Sequence, residues 1–191
     1  MLLALLAGCS APIEPVKYVT FPKDCFLGAD QLLSEIMDHS RELSVFSEGG
    51  LNLPWGEPAL RRCARSMSRL GKVESPGPEK RTVAVSYFMP TKSDEYSDPV
   101  TAAKDDLDKI RRSSTPRKPL GLGQEGLSWN TPAIGAQEAG GAAAFRDANL
   151  VVRVSVEGTD YGPGGKKEQP LDPVKAEQDA IRILRTIKEK L

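Results

Sequence analysis

Residues 142–157 read Ala-Ala-Ala-Phe-Arg, a polar break at Asp147-Ala148, then Asn149 and a run with Leu150, Val152, Val154 and Val156 at every second position. Period-two alternation of that length puts the four aliphatics on one face of a strand and Val151, Arg153 and Ser155 on the other, so one face meets a core and the other is partly wet. Two such runs joined by a short break form an antiparallel hairpin. The chain is thereby committed to a sheet. Residues 82–88 alternate Val83, Val85 and Tyr87 against Ala84, Ser86 and Phe88, both sets apolar enough for a central strand. The Glu74-Ser75-Pro76-Gly77-Pro78 turn before it predicts a second hairpin from about Cys63 to Phe88.

Helices are marked by the other period. Ala29, Leu32, Leu33, Ile36 and Met37 share one face of a helix running from near Gly28 to about His39. Asp98-Pro99 supplies an N-cap and a first-turn Pro for a helix with Val100, Ala103, Leu107 and Ile110 buried, ending in Arg111-Arg112. Asp172-Pro173 repeats that start, and Ala176, Ala180, Ile183, Leu184, Ile187 and Leu191 stripe a terminal helix. Short strands fit near residues 51–53 and 127–129. Residues 59–72 stay open: the Arg/Ser/Met alternation suits a strand, and residues 59–65 suit a helical turn as well. Strands and helices intersperse without regular βαβ alternation, which predicts an α+β class: an antiparallel β-sheet with helices packed on one face, as a single disulfide-bonded domain over residues 23–191. No internal repeat is present.

With 26 Lys and Arg against 26 Asp and Glu, the formal charge is zero and no chain-wide field holds nucleic acid. No apolar run reaches the roughly 18 residues of a spanning helix. One His and three Cys remove most metal and nucleophile architectures, and no cofactor is expected.

The apolar residues 1–7 run into Leu6-Ala7-Gly8-Cys9 followed by Ser10, which resembles a bacterial lipobox. The resemblance implies a signal peptide over residues 1–8, a lipid on Cys9, and a location at the extracytoplasmic face of the cell membrane. No Lys or Arg precedes the run, as expected if the signal is truncated at its start. Pro12, Pro15 and Pro22 make residues 9–22 a lipidated Cys and flexible tether. Cys25 and Cys63 are then an even pair in an exported chain. Bridging them closes a loop of about 38 residues, worth roughly 4 kcal/mol in the chain-entropy model, and the alternative is two separate buried thiols.

Lipobox, Pro-bearing tether, Cys before an apolar helix, second Cys, central hairpin, Gly-Leu-Gly-Gln-Glu-Gly at residues 121–126, the FRDANLVVRVSV strand pair and a terminal amphipathic helix follow in that order. This order resembles actinobacterial lipoproteins of unknown function whose folded part is similar to the extracellular sensor domain of mycobacterial serine/threonine kinases. Those families carry Gly-Leu-Gly-Asp-Glu-Ala where this chain has Gln124 and Gly126, and a Trp soon after the position of Cys63 that is missing here. The resemblance implies location and a sensor-like fold, with no chemistry to carry over residue by residue.

His39 stands beside Asp38 and Ser40, but neighbouring helical residues point about 100° apart and form no relay. Gly121-x-Gly123 lacks the Lys-Ser/Thr of a phosphate loop and reads as a turn opening a strand. Glu125 and Asp147 read as solvated turn carboxylates. Trp55, Trp129, Tyr96 and Tyr161 fall in loops or at element ends, as stacking surfaces or as plugs over the sheet ends. Arg111, Arg112, Arg117 and Lys118 offer an anionic polymer a local basic run, or simply solvate a connection. The binding site is placed at the loop end carrying Trp129, Gly121, Gly123 and Glu125. The function expected is a non-enzymatic, monomeric, membrane-anchored envelope lipoprotein that binds a small ligand or an envelope protein. The alternatives are a solute-binding component of a transporter and a cell-wall-modifying enzyme.

Overall fold

The hairpins and caps legible in the chain recur in the computed structural model, which describes residues 14–37, 47–51, 59–68, 78–90, 98–133, 139–161 and 167–191. Among these residues three helices, α1 (Asp30–Ile36), α2 (Pro99–Arg111) and α3 (Pro173–Lys190), accompany eight strands. These are β1 (Ser47–Leu51), β2 (Ala59–Ser68), β3 (Pro78–Met89), β4 (Lys118–Pro119), β5 (Glu125–Thr131), β6 (Ala139–Asp147), β7 (Leu150–Tyr161) and β8 (Glu168–Pro170). They form one antiparallel sheet in the order β1-β2-β3-β7-β6-β5-β4, with β8 pairing the end of β7. The open segment 59–72 resolves as strand over the ten residues of β2, held by a full ladder to β3. Asp98 and Asp172 cap α2 and α3 by accepting backbone N–H bonds from Val100 and Thr101, and from Val174 and Lys175.

The α+β class, the antiparallel sheet and the bridge stand as read, but the helices are divided between the faces. Ala143 and Phe145 of β6 join the main core with α1 and α3, whereas Ala142 and Ala144 join a second cluster with Ala103 and Leu107 of α2. Every residue of β6 is therefore buried. The physical reason is that Val151 and the two alanines leave an apolar patch on the face the alternation marks as wet, and α2 covers it. On the other face α3 lies directly on the strand: a Cβ at Gly141 would come within 2.1 Å of the Glu177 backbone nitrogen.

Cys25 and Cys63 are bonded, with Cα atoms 6.2 Å apart. The bridge ties the segment before α1 to β2, and Tyr87 of the neighbouring β3 donates a 2.6 Å bond to the Cys25 carbonyl.

Residues 14–22, expected as part of the tether, are docked on the domain, and residues 9–13 lie outside the described residues. Asn149 Oδ1 accepts from the Lys17 and Tyr18 amides at 3.0 and 2.9 Å, and its Nδ2 donates to the Tyr18 carbonyl. Asp147 accepts from Lys17 Nζ, Lys188 Nζ and the Tyr18 hydroxyl at 2.8, 2.6 and 2.7 Å. Tyr18 and Phe21 pack on the main core. Asp147 is thus a buried clamp rather than a solvated turn residue. Burial opposes its charge, but the bonds from Lys17, Lys188 and Tyr18 outweigh it and hold the carboxyl well below the usual carboxylate range. A depressed folded-state pKa contributes stability above the unfolded value of about 3.9, and that contribution disappears as pH falls through the folded value. Asp147→Asn should therefore cost about 1–3 kcal/mol at neutral pH. In urea titrations the gap to the parent should close as pH drops below 4, and hydrogen exchange should show the Lys17 and Tyr18 amides deprotected. A gap independent of pH would assign the cost to packing instead.

Candidate functional site

The loop end named from the sequence is built as structure rather than as an open surface. Trp129 is only 3 % exposed, inside the second cluster, because β5 turns it onto Ala142 and Ala144 beneath α2. The guanidiniums of Arg117 and Arg153 lie 4.1 and 5.1 Å from its ring centroid. Glu125 is bonded to Arg111 at 2.8 Å and paired with Arg146 at 3.2 Å, and these partners, Arg111 foremost, hold its carboxyl below its ordinary range despite partial burial. Gly123 has φ +65°, and a Cβ there would meet the Arg146 carbonyl at 2.5 Å, so the turn needs glycine for packing. Gly121 is exposed with open space around it. Gln124 accepts from the Ala148 amide at 2.7 Å and donates to Glu14, joining this turn to the docked N-terminal segment.

The basic run is likewise engaged. Arg111 pairs with Asp108 and Glu125, Arg112 and Arg117 donate to the Asp108 and Ile110 carbonyls, and Lys118 meets Glu177 at 2.6 Å. Tyr161 is half-buried at the end of β7. His39, Trp55 and Tyr96 lie outside the described residues.

Among the described residues a concave feature sits elsewhere, on the α2 side of the sheet where strands β2, β3 and β7 run side by side. Alternation sends Val83, Val85 and Tyr87 into the main core and turns Ala84 and Ser86 the other way. Antiparallel register then sets Arg62, Ser86 and Arg153 in one row across the three strands, and Ala64, Ala84 and Ser155 in the next. Short side chains in the middle and long ones at the sides leave a trough of about 350 Å³, bounded by Leu60, Arg62, Ala84, Ser86, Arg153, Ser155 and Glu157. Strand spacing places the Cα atoms of Arg62 and Arg153 about 10 Å apart.

Neither guanidinium has a carboxylate within ion-pair distance among the described residues. Arg153 is instead stacked on Trp129. Burial lowers its pKa and Arg62 lowers it further, while Glu157 and Asp106 pull the other way. A guanidinium remains charged under such a shift, so the row carries two facing positive charges. On α2, burial raises the Asp106 carboxyl against the pull of Lys109 and Arg153. Sequence reasoning passed over this trough because Arg153 and Ser155 looked like a wet strand face, and nothing in one chain pairs them with Arg62 and Ser86.

Chemically, the trough offers two guanidiniums and two hydroxyls to an acceptor, with one carboxylate at its far side. Among the described residues no group of three or more His, Cys, Asp and Glu side chains converges as a metal would require, and no helix is long and apolar enough to cross a membrane. No protein-family model, no curated protein and no solved structure matches this chain.

Proposed function

We propose that this chain is an envelope lipoprotein, anchored through Cys9 at the extracytoplasmic face of the membrane, whose domain binds a ligand without chemical turnover. The observation that carries the reading is the trough on the half of the sheet that α2 leaves open, with small residues flooring it and walls that include two guanidiniums with no carboxylate at ion-pair distance among the described residues. A concave polar surface on a rigid, disulfide-tied sheet suits recognition. Its own side chains include no imidazole or thiol to activate a serine. The resemblance to extracellular sensor domains of kinases adds support through the order of its elements, lipobox to terminal helix.

Docking of the N-terminal segment gives the anchor a direction. Only residues 10–13 would separate an acylated Cys9 from Glu14, a reach of no more than about 18 Å. The turn between β6 and β7, which holds that segment through Asn149 and Asp147, then faces the bilayer. Replacing Cys9 by Ala should shift the protein from the membrane fraction to the medium, because the thiol is the acylation point of the lipobox. Equal membrane retention of the Cys9→Ala chain would overturn the anchor.

A further inference from the structure

The geometry points to a phosphoryl group on a small organic molecule as the occupant of the trough, held between Arg62 and Arg153 over Ser86 and Ser155. This rests on the binding role proposed above and gives it a ligand class.

Two like charges set across one serine repel each other, and burial of Arg153 adds to that penalty. Glu157 and Asp106 offset part of the cost at Arg153, and an anion between the two guanidiniums relieves the rest together with their mutual repulsion. The donor set identifies the anion. One carboxylate is satisfied by a single guanidinium fork, whereas two guanidiniums approaching from opposite walls, with two hydroxyls beneath, call for an acceptor with at least three outward oxygens. A phosphate monoester has three such oxygens and a fourth that carries the organic substituent. The outer Cα atoms are roughly 10 Å apart, so an ion centred over β3 lies about 5 Å in projection from each outer strand, a distance that an arginine side chain covers. The trough, at about 350 Å³, is larger than the anion alone needs. Leu60, a 37 % exposed aliphatic on the lining one row beyond Arg62, offers contact to an apolar substituent. Glu157, on the lining beyond Ser155 along β7 and drawing on the Arg153 charge, repels a second negative group and so favours an anion centred between the two guanidiniums. Trp129 fixes the plane of the Arg153 guanidinium from below without touching the ligand.

The same phosphoryl chemistry is carried by a soluble phosphomonoester and by a phospholipid headgroup, and the test separates them. Calorimetry on the full-length chain would use glycerol 3-phosphate as the soluble probe. Flotation would use phosphatidylcholine vesicles with and without phosphatidic acid. In either format binding should weaken at least tenfold in Arg62→Gln and in Arg153→Gln, and also in Ser86→Val, which fills the floor without removing charge. Unchanged melting temperatures would show that these three variants remain folded. Binding confined to glycerol 3-phosphate identifies a soluble ligand, and binding confined to phosphatidic acid vesicles identifies a headgroup; each supports the site if the substitutions abolish it. Absence of binding in both formats, or binding that the three substitutions leave unchanged, overturns the proposal. A photoreactive phenylalanine analogue placed at Leu60 separates the two levels of failure in intact envelopes. A crosslinked trough that ignores phosphate overturns the ligand class alone, and an empty trough overturns the binding role with it.

Discussion

Trp129→Ala should lower the unfolding free energy by about 3–5 kcal/mol, among the largest losses available from one substitution in this chain. The indole is almost fully enclosed, packed on Ala142 and Ala144 below α2, and its removal leaves a void that the small side chains around it fill only in part. In a domain of this length the loss corresponds to a fall in melting temperature on the order of 10 °C. Trp129→Phe keeps an aromatic plate under Arg153 and Arg117 and should lose considerably less. The pair of variants also separates stability from binding. If Trp129 orients Arg153, the Phe variant at a temperature where it is fully folded should retain most of the affinity for the phosphoryl probe. A melting temperature unchanged in Trp129→Ala would mean that the indole is not a packing element, and would return it to the exposed surface that its place near a loop end first implied.

How much of this was legible depended on whether the signal was local. Asp98-Pro99 and Asp172-Pro173 announce the starts of α2 and α3 within two residues each, because capping is a local hydrogen-bonding matter. The alternation of Leu150, Val152, Val154 and Val156 likewise marks the core face of β7 correctly. The division of the helices between the two faces was not legible. It turns on whether Ala142, Ala144 and Val151 form an apolar patch, and alanines beside a Val-Arg-Ser alternation do so only once β6 is laid against β7. The docked segment was hidden for a related reason. Glu14, Lys17 and Tyr18 look like a solvated spacer until residues more than 100 positions away turn out to be their partners, Arg146 and Gln124 for Glu14, and Asp147 and Asn149 for Lys17 and Tyr18. Glu177 shows the same blindness within a helix: it lies in the stripe of buried positions on α3, satisfied by Ser128 at 2.7 Å and by Lys118. The trough required two register pairings at once, Arg62 with Ser86 and Ser86 with Arg153. What is encoded as a nonlocal pairing leaves no periodicity to read.

Removing the Cys25–Cys63 bridge should cost about 4 kcal/mol, and each single substitution to Ala should cost nearly as much as the double. The separation of 38 positions means that the oxidised unfolded chain is deprived of a large loop's freedom, and that restriction disappears when either sulfur is lost. Both half-cystines are also buried, at 2 and 1 % exposure, so loss of packing adds a smaller, site-specific share to each variant. Guanidinium titrations of the two single variants and the double would give an interaction free energy close to the whole bridge contribution, since one covalent bond cannot be broken twice. Costs that add instead would mean the sulfurs act as separate buried thiols, and alkylation of the unreduced protein would then label both. The bridge has a reach beyond stability. Cys63 is next to Arg62 on β2 and opposite Val85 on β3, so the covalent tie from the segment before α1 holds the strand that forms one wall of the trough. In native conditions well below the unfolding midpoint, the Cys63→Ala chain should therefore bind the phosphoryl probe more weakly although all its ligand-facing side chains remain. That loss should be smaller than the effect of Arg62→Gln, because a loosened wall still carries its charge.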